Sequence, residues 1–207
     1  LVLAQTSVKW YTRQIYAKLG VKNRQQAIEK AKLLGLLIGL ESATLPPHNL
    51  PTALLPLVGR QCELEKITSL VADPACRLLS LVGPGGCGKT RLAQEAGTIQ
   101  VMNFADGVFF VSLAPLETSE AIIPTIANSI GFKFFSSKDG PYQQLLNYLR
   151  EKNILLILDN FEHLLDSVEL IAKILQTAPK AKIIVTSRAR LNLLNEQLYP
   201  VAGLPFP

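Results

Sequence analysis

The feature that most constrains this chain is a glycine-rich stretch, GPGGCGKT, at residues 83–90. It matches the pattern GxxxxGK[ST] at every fixed position. The apolar run before it, RLLSLV, predicts a buried strand, and KTRLAQEAG after it predicts the start of a helix. In such a loop, successive backbone N–H groups converge on phosphate oxygens, and the helix amino terminus adds its positive dipole end. The sequence therefore predicts a strand–loop–helix unit that binds phosphates.

Two side chains that end this loop have predicted roles of their own. Lys89 supplies a positive charge for the β- and γ-phosphates, and the hydroxyl of Thr90 can bind Mg²⁺. Because the loop contacts phosphates, its residues are compatible with ATP, ADP or GTP. An ordinary glycine turn is the alternative, which the flanking strand and helix disfavour. The remaining predicted nucleotide contacts are Gly83, Pro84, Gly85, Gly86, Cys87, Gly88 and Arg91.

A second metal ligand is predicted at the end of the run NILLILDNFEH, where apolar residues are followed by Asp159. A plain strand followed by a turn is the alternative. Asn160 stands where many ATPases with this arrangement have a second acid, and an amide can orient water but cannot take its proton. Glu162 is a candidate substitute, or equally a solvated residue at a helix start. We therefore expect slow hydrolysis.

Two further segments are candidates for nucleotide contacts. The strand in KIIVTSRAR ends beside Arg188, a candidate for sensing the γ-phosphate. A solvent-facing strand end is the alternative, and Arg190 could be the relevant cation instead. The turn in LVGRQCELEKI could close over the nucleotide base, through Val58, Gly59 and Arg60.

Short apolar runs alternate with amphipathic segments from residue 58 onward, which is typical of a parallel α/β sheet. We predict a domain over 58–207, and its strands over 78–82, 108–113, 154–158, 182–186 and 199–201. Residues 41–57 carry four prolines, which exclude a continuous helix or central strand and predict an extended linker. Residues 1–40 have helical periodicity, which predicts a small all-α segment.

The positive charge of the chain is concentrated at its amino-terminal end. Residues 1–40 hold seven basic side chains against one glutamate, a net charge of +6, whereas the whole chain has a net charge of +5. This asymmetry is typical of a nucleic-acid-binding module attached to a near-neutral domain. The basic residues are Lys9, Arg13, Lys18, Lys22, Arg24, Lys30 and Lys32.

The first helix of this segment is predicted to be amphipathic and to end at Gly20. Lys9 and Arg13 lie opposite its apolar face, where they could contact phosphates or guanine edges in a major groove. A surface helix packed on the other domain is the alternative. The apolar face comprises Val8, Tyr11, Ile15 and Leu19, and a second apolar stripe comprises Ala27, Ile28, Ala31 and Leu34.

The composition argues against a membrane or secreted protein. No apolar run is long enough to span a bilayer, and no signal peptide opens the chain. Its three cysteines have no paired or metal-ligand spacing, so we expect reduced thiols and a cytoplasmic location. The chain starts without methionine inside a helical pattern and stops just after the last predicted strand. We therefore expect a fragment of a longer protein.

Five segments in order, LVGRQCELEKI, LVGPGGCGKTRLA, FADGVFFVSLAPL, ILLILDNFEHLL and IIVTSRARL, resemble the STAND class of signal-transduction NTPases. The NB-ARC-like ATPases of bacterial regulators are the most similar branch. The resemblance implies an ATP/ADP switch that is inactive with ADP and self-associates with ATP. It also implies a Walker B role for Asp159, a sensor role for Arg188 and base contact by the turn at 58–60.

The stretch TSVKWYTRQIYAKLGVKNRQQAIEKAKLLGLL resembles the second half of a LuxR-type helix-turn-helix. The resemblance implies double-stranded DNA as a partner. The implied DNA contacts are Thr6, Ser7, Lys9, Trp10, Tyr11 and Arg13.

Together these patterns predict a parallel-sheet P-loop NTPase core preceded by a small, incomplete helix-turn-helix segment. The predicted function is that of a signal-responsive transcriptional regulator that binds DNA and switches through ATP binding and slow hydrolysis. The alternatives are a P-loop ATPase without a DNA role and an assembly scaffold that holds nucleotide structurally.

Overall fold

The computed structural model describes residues 16–21, 26–27, 30–31, 34, 45–52 and 57–203. Contacts divide the chain into two compact units, Leu1–Thr44 and Leu45–Pro207. Among the described residues, no helix is both long and apolar enough to cross a bilayer.

The second unit is built on a five-stranded sheet in which every pairing is parallel. The strands are β1 (Leu78–Val82), β2 (Val108–Ser112), β3 (Leu155–Asp159), β4 (Lys182–Ser187) and β5 (Glu196–Pro200). Their spatial order is β2-β3-β4-β1-β5. The predicted parallel α/β sheet is therefore confirmed, and the strand bounds differ from the predicted ones mainly at β5, which begins three residues earlier.

Five α-helices cover the two faces of this sheet. They are α1 (Gln61–Ala72), α2 (Lys89–Gln100), α3 (Ile122–Ser129), α4 (Pro141–Leu149) and α5 (Val168–Thr177). The buried residues form two clusters, one joining α1 and α2 to one face and one joining α3, α4 and α5 to the other. All five residues of β3 are buried because helices cover both faces there.

The sheet edge formed by β2 is covered by residues from the proline-rich segment. The N–H of Val108 donates to the carbonyl of Pro47 at 3.1 Å. The side-chain amide of Asn49 bonds both backbone groups of Phe110, at 2.6 Å and 2.8 Å. A Cβ on Gly107, whose φ is +110°, would lie 2.2 Å from the Pro47 carbonyl oxygen, so this close approach requires glycine. Part of the segment predicted as a linker thus lies against the sheet.

In the first unit, the helical residues 16–19 end at Gly20, as predicted. Gly20 has a φ of +65°, and the N–H of Val21 donates to the carbonyl of Tyr16 at 3.0 Å. Ala27 and Ala31 are buried, in agreement with the predicted apolar stripe, whereas Leu34 is 54% exposed.

Candidate nucleotide-binding site

The glycine-rich loop joins the end of β1 to the start of α2, which confirms the predicted strand–loop–helix unit. Gly86 and Gly88 have φ values of +75° and +90°, a backbone conformation that side chains with a Cβ rarely adopt. The loop therefore curls tightly enough for α2 to begin at Lys89 with its free N–H groups beside the loop.

Lys89 lies inside this loop and is 9% exposed. Its ammonium group donates to the carbonyls of Gly83 at 2.9 Å and Pro84 at 2.8 Å. These are neutral acceptors, so the charge of Lys89 has no anionic partner among the described residues. An anion in the loop would supply that partner.

The carboxylate of Asp159 at the end of β3 connects three segments of the site. Its Oδ1 accepts hydrogen bonds from the hydroxyls of Thr90 and Thr186, both at 2.6 Å. The Thr186 hydroxyl in turn accepts a hydrogen bond from the N–H of Asn160 at 3.0 Å. Asn160 has a φ of +63°, a left-handed conformation that asparagine tolerates better than most residues. The two predicted metal ligands, Thr90 and Asp159, are therefore in direct contact.

Arg188 and Glu162 form an ion pair beside the loop. The Nε of Arg188 lies 3.1 Å from Oε1 of Glu162, and their side chains are 67% and 20% exposed. The other carboxylate oxygen of Glu162, Oε2, is buried and has no hydrogen-bond partner among the described residues. Arg188 also passes over the loop, since a Cβ on Gly85 would lie 3.4 Å from its Nη2.

Two open cavities meet over the loop. One has a volume of about 390 Å³ and lies on the side of the Thr90, Asn160, Glu162 and Arg188 side chains. The other has a volume of about 510 Å³ and lies on the side of the turn at 58–60. Both are lined by Gly85, Gly86, Gly88 and Arg91. Arg190 lines neither cavity, which favours Arg188 as the cation near a bound phosphate.

The three residues of the turn at 58–60 differ in exposure and in contacts. Val58 is 74% exposed, and Gly59 has a φ of +73°. Arg60 is only 5% exposed, and its guanidinium donates to Glu63 at 2.6 Å, to the Cys87 carbonyl at 2.9 Å and to the Ala202 carbonyl at 2.8 Å. Val58 and Arg60 line the larger cavity, and Arg60 also holds the phosphate loop to the segment after β5.

The sequence did not single out several residues of this site. Thr186 is the last residue of the predicted strand 182–186, and its contact with Asp159 depends on the pairing of β3 with β4. Gln94 lines the smaller cavity because it lies one turn after Thr90 in α2, a helical spacing that could have revealed it. Gly203 lines the larger cavity, and no local pattern marks it.

The predicted DNA contacts, Thr6, Ser7, Lys9, Trp10, Tyr11 and Arg13, lie outside the described residues.

The donor set at Thr90 and Asp159 fits a magnesium ion. Mg²⁺ prefers hard oxygen ligands, and in nucleotide sites it is bound by one or two protein groups together with phosphates and waters. One hydroxyl and one carboxylate, hydrogen-bonded to each other at 2.6 Å beside the phosphate loop, match that chemistry. No cluster of three or more acidic, histidine or cysteine side chains suited to a metal occurs in the part of the chain that the structure describes.

The NB-ARC domain family matches residues 60–195, which include the loop, Asp159 and Arg188. Since this match covers more than half of the chain, the chain belongs to the NB-ARC domain family. The glycine-rich loop and the parallel sheet together define a P-loop NTPase core of the α/β class.

Among the relatives, an uncharacterized protein of Mycobacterium tuberculosis is 30% identical over 158 residues, which are 76% of this chain and 39% of that protein. A second protein of the same species, provisionally named an HTH-type transcriptional regulator, is 34% identical over 133 residues. That match covers 62% of this chain and 14% of the relative. This chain thus spans less than half the length of these relatives.

Solved structures with the same fold include a STAND ATPase with a tetratricopeptide repeat sensor from Pyrococcus horikoshii. It has a TM-score of 0.50 and 21% identity, over 75% of this chain and 24% of that one. The Drosophila origin recognition complex bound to DNA gives a TM-score of 0.54 and 16% identity, over 70% of this chain and 43% of that one. At these identities the likeness concerns the fold.

Proposed function

We propose that this chain is the ATP-binding switch of a DNA-binding transcriptional regulator, which binds ATP or ADP with Mg²⁺ and hydrolyses ATP slowly. The observation that carries the proposal is that Lys89, Thr90 and Asp159 lie together at one glycine-rich loop in an NB-ARC domain. Lys89 offers a buried ammonium group that has no anionic partner in the part of the chain the structure describes, and Thr90 with Asp159 offers hard oxygen ligands. These two features complement each other in a site for Mg²⁺ and phosphate.

Each side chain has a defined part in this proposal. Lys89 and the loop N–H groups bind the phosphates, and Thr90 with Asp159 holds Mg²⁺, which would neutralise phosphate charge when bound. Val58 and the backbone of the turn contact the base at the larger cavity. Arg188, beside the smaller cavity, contacts the terminal phosphate.

Slow hydrolysis follows from the groups available to activate water. Asn160 can orient a water molecule but cannot accept its proton. Glu162 is the carboxylate nearest to that role, because its Oε2 is buried without a partner among the described residues while Oε1 is bound by Arg188. While Arg188 is paired with Oε1, only Oε2 of Glu162 is left to accept a hydrogen bond from water.

The regulatory part of the proposal rests on the basic segment at 1–40 and on the HTH-type name of one relative. ATP binding would favour self-association, and association would bring several DNA-binding segments to neighbouring half-sites. Each additional contact is then intramolecular, so a high effective concentration replaces high intrinsic affinity.

The first test is calorimetric titration of the chain with ATP and ADP in the presence of Mg²⁺. We expect the wild-type chain to bind with micromolar affinity. The affinity of Lys89→Ala is expected to be about a hundredfold lower, because two charge-assisted contacts to phosphate disappear. The matched control is Lys180→Ala, which removes an exposed lysine outside the site. Equal binding by wild type and Lys89→Ala would contradict the nucleotide role.

The DNA role needs its own measurement, namely fluorescence anisotropy with a labelled duplex at several salt concentrations, with ATP and with ADP. We expect binding that weakens steeply with salt and is stronger with ATP. Nucleotide binding and hydrolysis without any duplex binding would favour a P-loop ATPase with no DNA role. Bound ADP that does not exchange, with an unchanged oligomeric state, would favour a structural scaffold.

A further inference from the structure

Thr186 is almost completely buried beside the metal-type oxygen pair, with an exposed fraction of 1%. It lies in β4, next to β3, and thus adjoins Asp159 across the sheet. Its hydroxyl donates to Oδ1 of Asp159 at 2.6 Å and accepts from the N–H of Asn160 at 3.0 Å.

The hydrogen-bond directions in this group are fixed by proton count. A threonine hydroxyl has one hydrogen, and a backbone N–H can only donate. The Asn160 N–H donates to a lone pair of the Thr186 oxygen. An ionised carboxylate can only accept, so the hydroxyl hydrogen of Thr186 points to Asp159. The hydroxyl of Thr90 donates to the same oxygen. Oδ1 of Asp159 therefore accepts two hydrogen bonds, and Oδ2 accepts none from any described residue.

The different contacts of the two carboxylate oxygens indicate a role for Thr186. Fixing Oδ1 orients the carboxylate, and Oδ2 is left for an ion or for a water bound to it. The bond from Asn160 also anchors the left-handed turn that follows β3, so the backbone of Asp159 is held as well as its side chain. A carboxylate held in place loses less conformational freedom when it binds metal.

We infer that Thr186 is a positioning residue that orients Asp159 for Mg²⁺ and thereby sets how strongly Mg²⁺ increases nucleotide affinity. This inference rests on the proposed ATP–Mg²⁺ binding. Thr186 lines neither of the two cavities over the loop. It therefore acts through Asp159 and not by contact with the nucleotide.

The experiment measures ATP affinity of the 207-residue chain by calorimetry, once with excess Mg²⁺ and once with EDTA. The ratio of the two affinities is the magnesium ratio. Thr186→Val keeps the side-chain shape but removes the hydroxyl, and Thr186→Ser keeps the hydroxyl. We expect Val to lower the magnesium ratio about tenfold and Ser to leave it within about twofold, since a hydrogen bond to a charged group is lost only in Val. Affinity in EDTA is expected to stay within about twofold in both.

Circular dichroism and thermal unfolding check that each variant folds, and Thr186→Ala replaces Thr186→Val if the valine variant does not. In an Asp159→Asn background, Thr186→Val is expected to have no further effect on the magnesium ratio, because the group it orients is gone.

The outcomes separate the inference from the function on which it rests. A wild-type chain whose ATP affinity does not respond to Mg²⁺ would overturn the proposed function and the inference together. A wild-type chain with a clear Mg²⁺ response, combined with an unchanged ratio in Thr186→Val, would overturn the inference alone. A fall in EDTA affinity equal to the fall with Mg²⁺ would also overturn it, because that result indicates only structural damage.

Discussion

The edge of the parallel sheet where its strands begin and the edge where they end differ in what their charged side chains contact. At the edge where strands begin, Arg77 donates to the carbonyls of Ala178 and Ala181, and Lys182 donates to the carbonyls of Val71 and Asp73. The carbonyls of Ala178, Val71 and Asp73 lie at the ends of α5 and α1, where helices leave backbone acceptors without partners and where positive charge is favourable. The Ala181 carbonyl lies directly before β4.

At the edge where strands end, the charged groups lie around open cavities and their contacts are of another kind. Lys89 donates to neutral acceptors of the loop, the carbonyls of Gly83 and Pro84 and the Sγ of Cys87. Glu162 keeps one buried oxygen without a partner among the described residues. Charges that complete a helix end contribute to the folded state itself, whereas charges left partly unsatisfied beside a cavity are available to a ligand. We therefore expect the charged groups where strands begin to contribute to stability and those where strands end to contact a bound nucleotide.

The pKa values at the first edge agree with this assignment. Burial lowers the pKa of Lys182 and of Arg77, because desolvation disfavours their charged forms. Burial also raises the pKa of the neighbouring Cys76 thiol, against the opposing effect of Lys182. Backbone carbonyls replace the water that these two buried cations lose.

The largest effect is expected for Gly83→Ala. This variant tests whether packing at the edge where strands end can change without loss of stability or of ATP affinity. A Cβ there would lie 2.2 Å from the Val201 carbonyl oxygen, so the loop or the segment after β5 must move. We expect a loss of about 3 kcal/mol in unfolding free energy and at least about tenfold in ATP affinity. Urea unfolding and calorimetry measure the two effects.

The matched control for this change is Gly140→Ala. No atom lies within 4 Å of a Cβ at Gly140, and its φ is −68°. We expect a change within about 0.5 kcal/mol. Similar losses in the two variants would show that steric contact with Val201 is not the cause.

The next effect compares one arginine from each edge. Arg77→Ala removes hydrogen bonds to the backbone carbonyls of Ala178 and Ala181, so we expect a loss of about 2–3 kcal/mol in unfolding free energy and ATP affinity within about twofold of wild type. Arg188→Ala removes an exposed ion pair, so we expect less than about 1 kcal/mol in stability but about tenfold weaker preference for ATP over ADP. Denaturant unfolding and nucleotide titration of both variants provide the four values.

If Arg77→Ala altered nucleotide preference while Arg188→Ala altered mainly stability, the assignment of the two edges would be reversed and the comparison would be wrong.

The smallest effect concerns Asp106 and Lys152, which join the starts of β2 and β3 at 2.9 Å. The hydrogen bond from Lys152 holds the pKa of Asp106 below its ordinary value, against the opposing effect of burial. A lowered pKa in the folded state means that this stabilisation is present above about pH 4 and is lost as the pH falls through the folded-state pKa.

We therefore expect Asp106→Asn to cost less than about 1 kcal/mol at pH 6, since the pair is partly exposed, and to cost progressively less toward pH 3. Urea midpoints at the two pH values measure this difference. A cost that is independent of pH would indicate that the hydrogen bond from Asn153, and not the charge of Asp106, is what matters.

Much of the fold and site could be predicted because the relevant signals are local. The strand before the loop, the glycine pattern and the helix after it are adjacent in sequence, and Asp159 follows an apolar run. In the same way, Gly20 ends a short amphipathic stretch, and its positive φ was predictable from residue type.

The contacts that sequence reasoning missed join distant segments. Asn49 bonds Phe110 across 61 residues, and Arg60 bonds the Ala202 carbonyl across 142 residues. No local pattern contains these pairs, because they depend on which strand lies beside which and on where the segment after β5 passes the loop. Arg60 was therefore predicted only as a base contact, and its bonds to the loop and to the segment after β5 were not foreseen.

The sequence by itself determined which chemical groups the site contains: a glycine-rich loop of the P-loop pattern, the carboxylate of Asp159 and an asparagine directly after it. These are properties of residue type and short spacing, which backbone preferences and helix or strand periods reveal directly. Only the tertiary structure decided that Thr186 holds Asp159 and that Glu162 is paired with Arg188. Those contacts exist because the strand order β2-β3-β4-β1-β5 brings the ends of separate strands together, and that order is set by the packing of the whole sheet between its helices.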